Sequence, residues 1–429
     1  MLRRLGMLSG GMAIGQAVTL LASPILTRLY DPHDFGIYAV FTALSGLLGT
    51  VVALRYEFAI PLAPTERQAA DLAALCLVAI SFLCVVSVPV IWLGGDRLAQ
   101  VTQMPGLAHI LWWLPATMGM AGIAQFLNYW SVYRGTFRLN ASSRIVQSVL
   151  QSVMQVVLGV LGAGPGGMVL GYALAYGVRA ANFLLRLPRR DWRLLRGARV
   201  TAMRKCAIEQ WRYPVLSAPS GLLQNGSQLL PALLLASLYG PAVAGWYGLG
   251  QRLIGLPVRL LGQAASQVYL GEIAISSRGD SFKLFKQASL AFFALGIVIM
   301  APLLLAGPSL FAFVFGETWR TAGEITRLLV PLYLTRLVVT PVSQTLNAYG
   351  RQSQHLLTAT LDTSLLATSF VIAWQFSLEP LTTVLMFSVG SSLAYLLYFW
   401  LAFNAARSLA RLAVEVEAQQ REPAIDALP

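Results

Sequence analysis

The feature that most constrains this chain is a succession of apolar runs, each about as long as a bilayer is thick. Crossing about 30 Å of hydrocarbon takes about 20 helical residues at 1.5 Å each. Runs of that length fall at residues 7–28, 35–56, 69–93, 108–130, 144–162 and 166–186. After a polar break they resume at 211–237, 242–267, 287–307, 323–347, 355–376 and 380–404. Charged residues make up only 11% of the chain, whereas a soluble domain uses about 25%. Lipid is therefore the solvent, and in lipid the backbone must satisfy its own polar groups, which favours helices. These runs predict an all-α integral membrane protein with about twelve transmembrane helices in two groups of six.

The net charge of +13 would suit nucleic acid, but the cations sit where a membrane protein places them. With the N-terminus on the cytoplasmic side, the inward loops and tail hold 21 arginines and lysines, against Arg28, Arg97 and Arg320 outside. Such asymmetry predicts both termini in the cytoplasm. The inward set includes Arg134, Arg138 and Arg144, and the stretch "RLPRRDWRLLRGARVTAMRK" (Arg186–Lys205). That stretch joins the halves, and its cations and Trp192 suit anionic headgroups. Cys76, Cys84 and Cys206 show no metal or disulfide spacing. The start, "MLRRLGMLSGGMAIG", has a basic cap like a signal peptide, but its apolar run continues for a full span without a small-residue cleavage site, predicting a retained first helix.

An internal repeat divides the chain. "LYDPHDFGIY" (29–38) and "LYGPAVAGWY" (238–247) share L-Y-x-P-x-x-x-G-x-Y at an offset of 209 residues, each between the first and second spans of its half. With an even number of helices per half, the repeats run in the same direction, as in transporters built from parallel halves with midplane sites. The expected domains are an N-terminal lobe (1–186), a basic linker (187–210), a C-terminal lobe (211–406) and a cytoplasmic tail (407–429).

Seven arginines fall in or at the ends of spans: Arg55, Arg179, Arg212, Arg252, Arg259, Arg327 and Arg336. An arginine at a helix centre costs about 2.5–3.5 kcal/mol on the insertion scale, so it should face a cavity or a partner. Arg179, Arg212 and Arg327 lie near span ends and can snorkel to headgroups instead, as can Arg55. Arg252 and Arg259 are seven apart, two turns, and would share a helix face. Arg336 is deepest. In-span anions are fewer: Asp362, with Glu57 and Glu209 near ends. This excess of positive charge suits an anion, and the guanidinium fork suits phosphate.

Uncharged polar residues recur at helical spacing: Gln16 and Thr19 on the first span, Gln125 and Asn128 on the fourth, and Gln147, Gln151 and Gln155 on the fifth. Asn225 and Gln228 follow on the seventh, and Arg336, Thr340 and Gln344 on the tenth. Such stripes are either interhelical hydrogen-bond glue or the lining of a wet interior that meets sugar hydroxyls. No phosphate loop, H-E-x-x-H or G-x-S-x-G is present, and the outward loops are short. Catalysis is disfavoured, and no cofactor or metal site is expected.

"SPILTRLYDPHDFGIYAVF" (Ser23–Phe41), followed by "LRYEFAIPLA" (Leu54–Ala63), resembles the N-terminal signature of Wzx-type polysaccharide flippases. These belong to the MATE/MOP superfamily, with the lipid II flippases and MATE drug exporters. The match covers about the first 65 residues; beyond them it rests on the twelve spans, the six-plus-six layout and the basic central loop. The resemblance implies a MATE-like fold in the bacterial inner membrane, with two six-helix lobes around a central cationic cavity. It also implies transport of undecaprenyl-pyrophosphate-linked oligosaccharide to the periplasmic leaflet by alternating access coupled to an ion gradient. Arg28 and Arg55 match the family's substrate-contacting arginines, and Arg252 and Arg259 correspond by region. The chain lacks the two extra C-terminal helices of lipid II flippases, which argues against peptidoglycan precursor as cargo.

The expected substrate set is therefore Arg28, Arg55, Arg252, Arg259 and Arg336, with Gln16, Gln125, Asn128, Gln147, Gln151, Asn225, Gln228 and Gln344 lining the cavity. Glu57 and Asp362 are candidates for H+ or Na+ coupling. A monomer is expected, with lipid-linked glycan, membrane lipids, and polysaccharide polymerase and chain-length proteins as partners. The rival readings are a multidrug or organic-ion antiporter on the same fold, and a membrane polysaccharide polymerase or ligase.

Overall fold

The computed structural model describes residues 14–275, 281–348 and 352–421. The expected start of the first span at residue 7, several inward cations and the end of the tail lie outside these residues. The helices are α1 (Ile14–Leu29), α2 (Pro32–Val51), α3 (Glu66–Val101), α4 (Leu114–Arg134), α5 (Phe137–Val160) and α6 (Gly164–Leu185). The linker forms α7 (Arg189–Arg196) and α8 (Val200–Glu209). Then come α9 (Ala218–Tyr239), α10 (Pro241–Gly250), α11 (Leu256–Ile275), α12 (Ser281–Phe315), α13 (Arg320–Val342), α14 (Gln352–Gln375) and α15 (Pro380–Arg421). No strand occurs among the described residues.

Eight of these helical segments are long and apolar enough to span a bilayer, and α1 is a shorter apolar helix. Helices α5, α9 and α10–α11 occupy the remaining expected span positions. The chain is a multi-pass, all-helical membrane protein.

Local sequence explains the breaks. Asp31 caps α2 by accepting from the Asp34 N–H at 2.8 Å, and Pro32 begins the helix, where its missing N–H costs nothing. Gly135 ends α4 in the left-handed region, with φ 70°. After α2 the chain turns through Leu54 (φ 51°) and Arg55 (φ 63°) into a 3-10 turn, Tyr56–Leu62. Two successive non-glycine residues there store about 1–3 kcal/mol of strain each.

Contacts group the chain into two units whose limits differ from those of the sequence halves. One comprises Met1–Arg252 and Phe311–Ala322; the other comprises Leu253–Leu310 and Gly323–Pro429. Within the first, the repeat motifs meet each other. Gly36 lies directly on the Pro241 carbonyl, and Gly245 on the Pro32 carbonyl. Small residues let these backbones touch, as membrane helices require. Trp319 is fully buried, donates through Nε1 to the Thr27 carbonyl (3.1 Å) and meets Phe35 edge-on at 4.8 Å. This pins residues 311–322 to the unit.

The linker is docked as well as basic. Asp191 is buried at 4% exposure, accepting from Trp130 Nε1 at 3.0 Å and Arg134 Nη2 at 2.7 Å. Glu66 takes Arg134 on one oxygen and Arg190 on the other, and Arg67 donates to the Gly197 carbonyl. Arg189, Trp192, Arg193 and Arg196 are exposed on the far side.

In the second unit, Tyr269, Phe285, Val342, Leu346 and Tyr398 form a buried core. Helix α12 kinks at Ala306 (φ −126°), between Pro302 and Pro308. Just beyond, Gly307 and Gly323 face each other so closely that neither could carry a Cβ without backbone movement.

Candidate functional site

A cavity of about 330 Å³ opens inside the first unit. Ser45, Gly46, Gly49 and Thr50 of α2 line it, and the strained turn supplies Arg55 and Phe58. From α4 come Ala121, Gln125, Asn128 and Tyr129; from α5, Arg144; from α6, Tyr172, Tyr176 and Arg179; and from α9, Asn225. Both sequence halves therefore contribute to it.

Among the described residues, three arginines and no carboxylate line this space. Arg55 stacks over Phe58 at 5.0 Å, and Phe58 meets Tyr129 at 4.9 Å. The Arg55 guanidinium also lies against Gly221 of α9, in the space a side chain there would fill. Arg144 donates to Asn128 Oδ1 at 3.3 Å, and Asn140 donates to the same oxygen. Arg179 donates to Gln147 Oε1 at 3.0 Å, while its buried Nε has no hydrogen-bond partner. Asn225 donates to Thr50 Oγ1 at 3.0 Å.

Glu57 sits behind this wall, 1% exposed, accepting from Gln125 Nε2 at 2.8 Å through one oxygen. Burial pushes its carboxyl above the usual range, and bonds from the backbone and Gln125, with nearby Arg55, draw it back. One carboxyl oxygen is thus tied to the wall through Gln125.

The expected site residues separate on this geometry. Arg55, Gln125, Asn128 and Asn225 line the cavity, and Gln147 holds Arg179 from behind. Gln151 donates instead to Tyr38 Oη at 3.0 Å, so this part of the α5 stripe is interhelical glue. Gln16 and Gln228 are half-buried outside the lining. Arg28 is exposed. Arg252 donates to the Thr19 carbonyl at 3.0 Å and also stays outside the lining.

Three sequence expectations differ from the structure. Arg252 and Arg259 are not separated by two regular α-helical turns, because Arg252 belongs to a π turn, Gln251–Gly255, that breaks the α-helical spacing. Arg252 is half-buried, and Arg259 is exposed in the other unit. Arg179 does not snorkel; it is 8% exposed and turned inward by Gln147. Arg144 belongs to α5 and the cavity, not to a loop. A signal existed for both, since Tyr172, Tyr176 and Arg179 recur at spacings of four and three, and Arg144 extends the Gln147–Gln151 stripe by one turn.

In the second unit, Arg336 donates through Nε to Tyr395 Oη at 3.0 Å and lies over the rings of Tyr333 and Tyr395. Asp362 is buried within electrostatic reach of it. Gln344 is half-buried in the short helix Gln344–Ala348. Arg336, Tyr333, Tyr395 and Asp362 form a cluster within the second unit.

Two other features carry less chemistry. A hollow of about 580 Å³ is walled by the single stretch 209–220, around the helix break. Asp31, His33 and Asp34 bring ligand atoms within 4.8 Å at the surface, where Asp31 serves as the α2 cap.

The fold is that of the MOP transporters. The structure is similar to lipid II flippase MurJ in an inward closed conformation, with a TM-score of 0.75 at 10% identity, covering 95% of this chain and 90% of that one. It is similar to a MATE transporter in the bent conformation (TM-score 0.60, 17% identity, 95% and 96% covered). A MOP superfamily transporter from Pyrococcus furiosus, described as having a binding pocket of reversed polarity, scores 0.61 at 16% identity with 96% of each chain covered. No curated protein sequence matches. Residues 25–324 match the family described as "Polysaccharide biosynthesis protein". By that match over most of its length, and in line with its resemblance to Wzx-type flippases, the chain belongs to the polysaccharide biosynthesis protein family.

Proposed function

We propose that this protein is a flippase that carries undecaprenyl-pyrophosphate-linked oligosaccharide repeat units across the bacterial inner membrane for surface polysaccharide assembly. The observation that carries this reading is the cavity lined by Arg55, Arg144 and Arg179 without a lining carboxylate, in a chain of the polysaccharide biosynthesis family. Buried arginine forks bind phosphate oxygens in pairs. Amides from Gln125, Asn128 and Asn225 beside Phe58 and Tyr129 supply hydrogen bonds and ring faces for the sugar. The polyprenyl tail stays in the bilayer. An organic-cation antiporter would require the opposite charge in the cavity.

Both termini face the cytoplasm, and the two six-helix sequence halves rock by alternating access. An ion gradient drives the cycle, with Glu57 and Asp362 as coupling groups. The reading requires no catalysis, and a monomer suffices; polymerase and chain-length proteins receive the product. The test is reconstitution of the purified protein in liposomes with a fluorescent undecaprenyl-pyrophosphate glycan, following its exposure to an added lectin. Wild-type protein exposes the glycan and Arg55→Gln, at equal incorporation, does not. Equal rates for the two would overturn the cationic-cavity reading.

A further inference from the structure

We infer that Arg144 and Arg179 form a second oxyanion subsite in the cavity, distinct from Arg55. It takes either the second phosphate of a diphosphate or the carboxylate of an acidic sugar. This inference rests on the proposed anion-binding role of the cavity and specifies what its far wall reads.

Four observations support it. Arg144 and Arg179 come from adjacent helices, α5 and α6, and line one space. They lie close enough to repel each other. Arg179 has no ion pair among the described residues and is held by a neutral amide, Gln147, which orients the fork without neutralising it. Its Nε is buried and unpartnered, although the side chain is more than nine-tenths buried. A buried cation left with an unused donor beside another cation is costly unless an anion completes the group.

Arg55 is placed differently. It comes from the strained turn, stacks on Phe58 and packs on α9 at Gly221. Tyr129 lies within electrostatic reach of both Arg55 and Arg144, and Tyr176 within reach of both Arg144 and Arg179. The three cations and the two tyrosines thus line the same cavity. Such an arrangement suits a ligand with two anionic centres.

Binding to the purified protein in nanodiscs can be followed with four probes: inorganic phosphate, inorganic pyrophosphate, glucose 1-phosphate and glucuronic acid 1-phosphate. If the subsite takes a second phosphate, pyrophosphate binds at least about tenfold tighter than phosphate, the scale of one charge-assisted contact. If it takes a sugar carboxylate, glucuronic acid 1-phosphate gains the same factor over glucose 1-phosphate. Either preference should vanish in Arg179→Gln and in Arg144→Gln while phosphate binding persists. Arg144 is the less buried of the two, so its variant decides the matter if Arg179→Gln does not fold. Absence of both preferences in the wild type, or their survival in the variants, overturns the subsite. The cavity reading fails separately if Arg55→Gln leaves phosphate binding unchanged.

Discussion

Gly36 rests on the backbone carbonyl of Pro241, and the equivalent glycine of the other repeat, Gly245, rests on that of Pro32. The two copies of L-Y-x-P-x-x-x-G-x-Y thus clasp each other reciprocally, as a pseudo-twofold contact does. A carbonyl cannot move aside as a side chain can. Gly36→Ala or Gly245→Ala should therefore destabilise the protein by about 3 kcal/mol, the upper range for overpacking. The double variant should cost less than the sum, because both splay the same crossing. Gly94, which faces open space, is the control, and Gly94→Ala should be neutral or stabilising. Thermal melting in detergent reads all four.

Gly221 should behave as a positioning residue for Arg55. Any side chain there would occupy the space of the Arg55 guanidinium, which is the mobile partner. Gly221→Ala should therefore cut phosphate binding about as much as Arg55→Gln, with little loss of stability. Full binding in Gly221→Ala would show that Arg55 reaches the ligand from another position.

The linker clamp makes a separate prediction. Asp191 holds both Arg134 and Trp130 from a buried position. Asp191→Asn leaves the guanidinium short of its counter-charge, costing about 3 kcal/mol locally, as for a broken buried pair. The linker arginines should then be cut several times faster by trypsin, while the melting point of the remaining helices shifts little.

Cys206 on α8 reports the same docking chemically. It is 5% exposed, and burial, with Asp71 and Glu209 nearby, pushes its thiol up. A raised pKa means less thiolate at any pH below it, so maleimide labelling at neutral pH should be much slower than for a free thiol. Labelling should accelerate as pH rises and reach the free rate on unfolding. Fast labelling of the native protein at neutral pH would mean that α8 is undocked.

Tyr395→Phe removes the hydroxyl that accepts from Arg336 Nε and keeps the ring beneath the guanidinium. The unsatisfied donor should cost about 1–3 kcal/mol. Anion binding in the cavity should be unaffected, since Arg336 does not line it.

Some of this was legible in the residues alone. Span positions followed from apolar run length, because bilayer thickness sets helix length. The repeat and the basic linker were also readable, and Arg55, Gln125, Asn128 and Asn225, singled out by their position in the spans, line one cavity. Linear spacing could not say which way each helix is rotated. Arg179 at a span end reads equally as a snorkelling side chain or an inward one, and Gln147 on the neighbouring helix decides. The spacing of Arg252 and Arg259 reads as regular α-helix, whereas a π turn, which has no sequence signature, interrupts it. Membrane insertion depends on summed hydrophobicity, a property of local sequence. A binding site depends on helix rotation and on backbone approach at contacts such as Gly36–Pro241 and Gly221–Arg55, which only the packed chain sets.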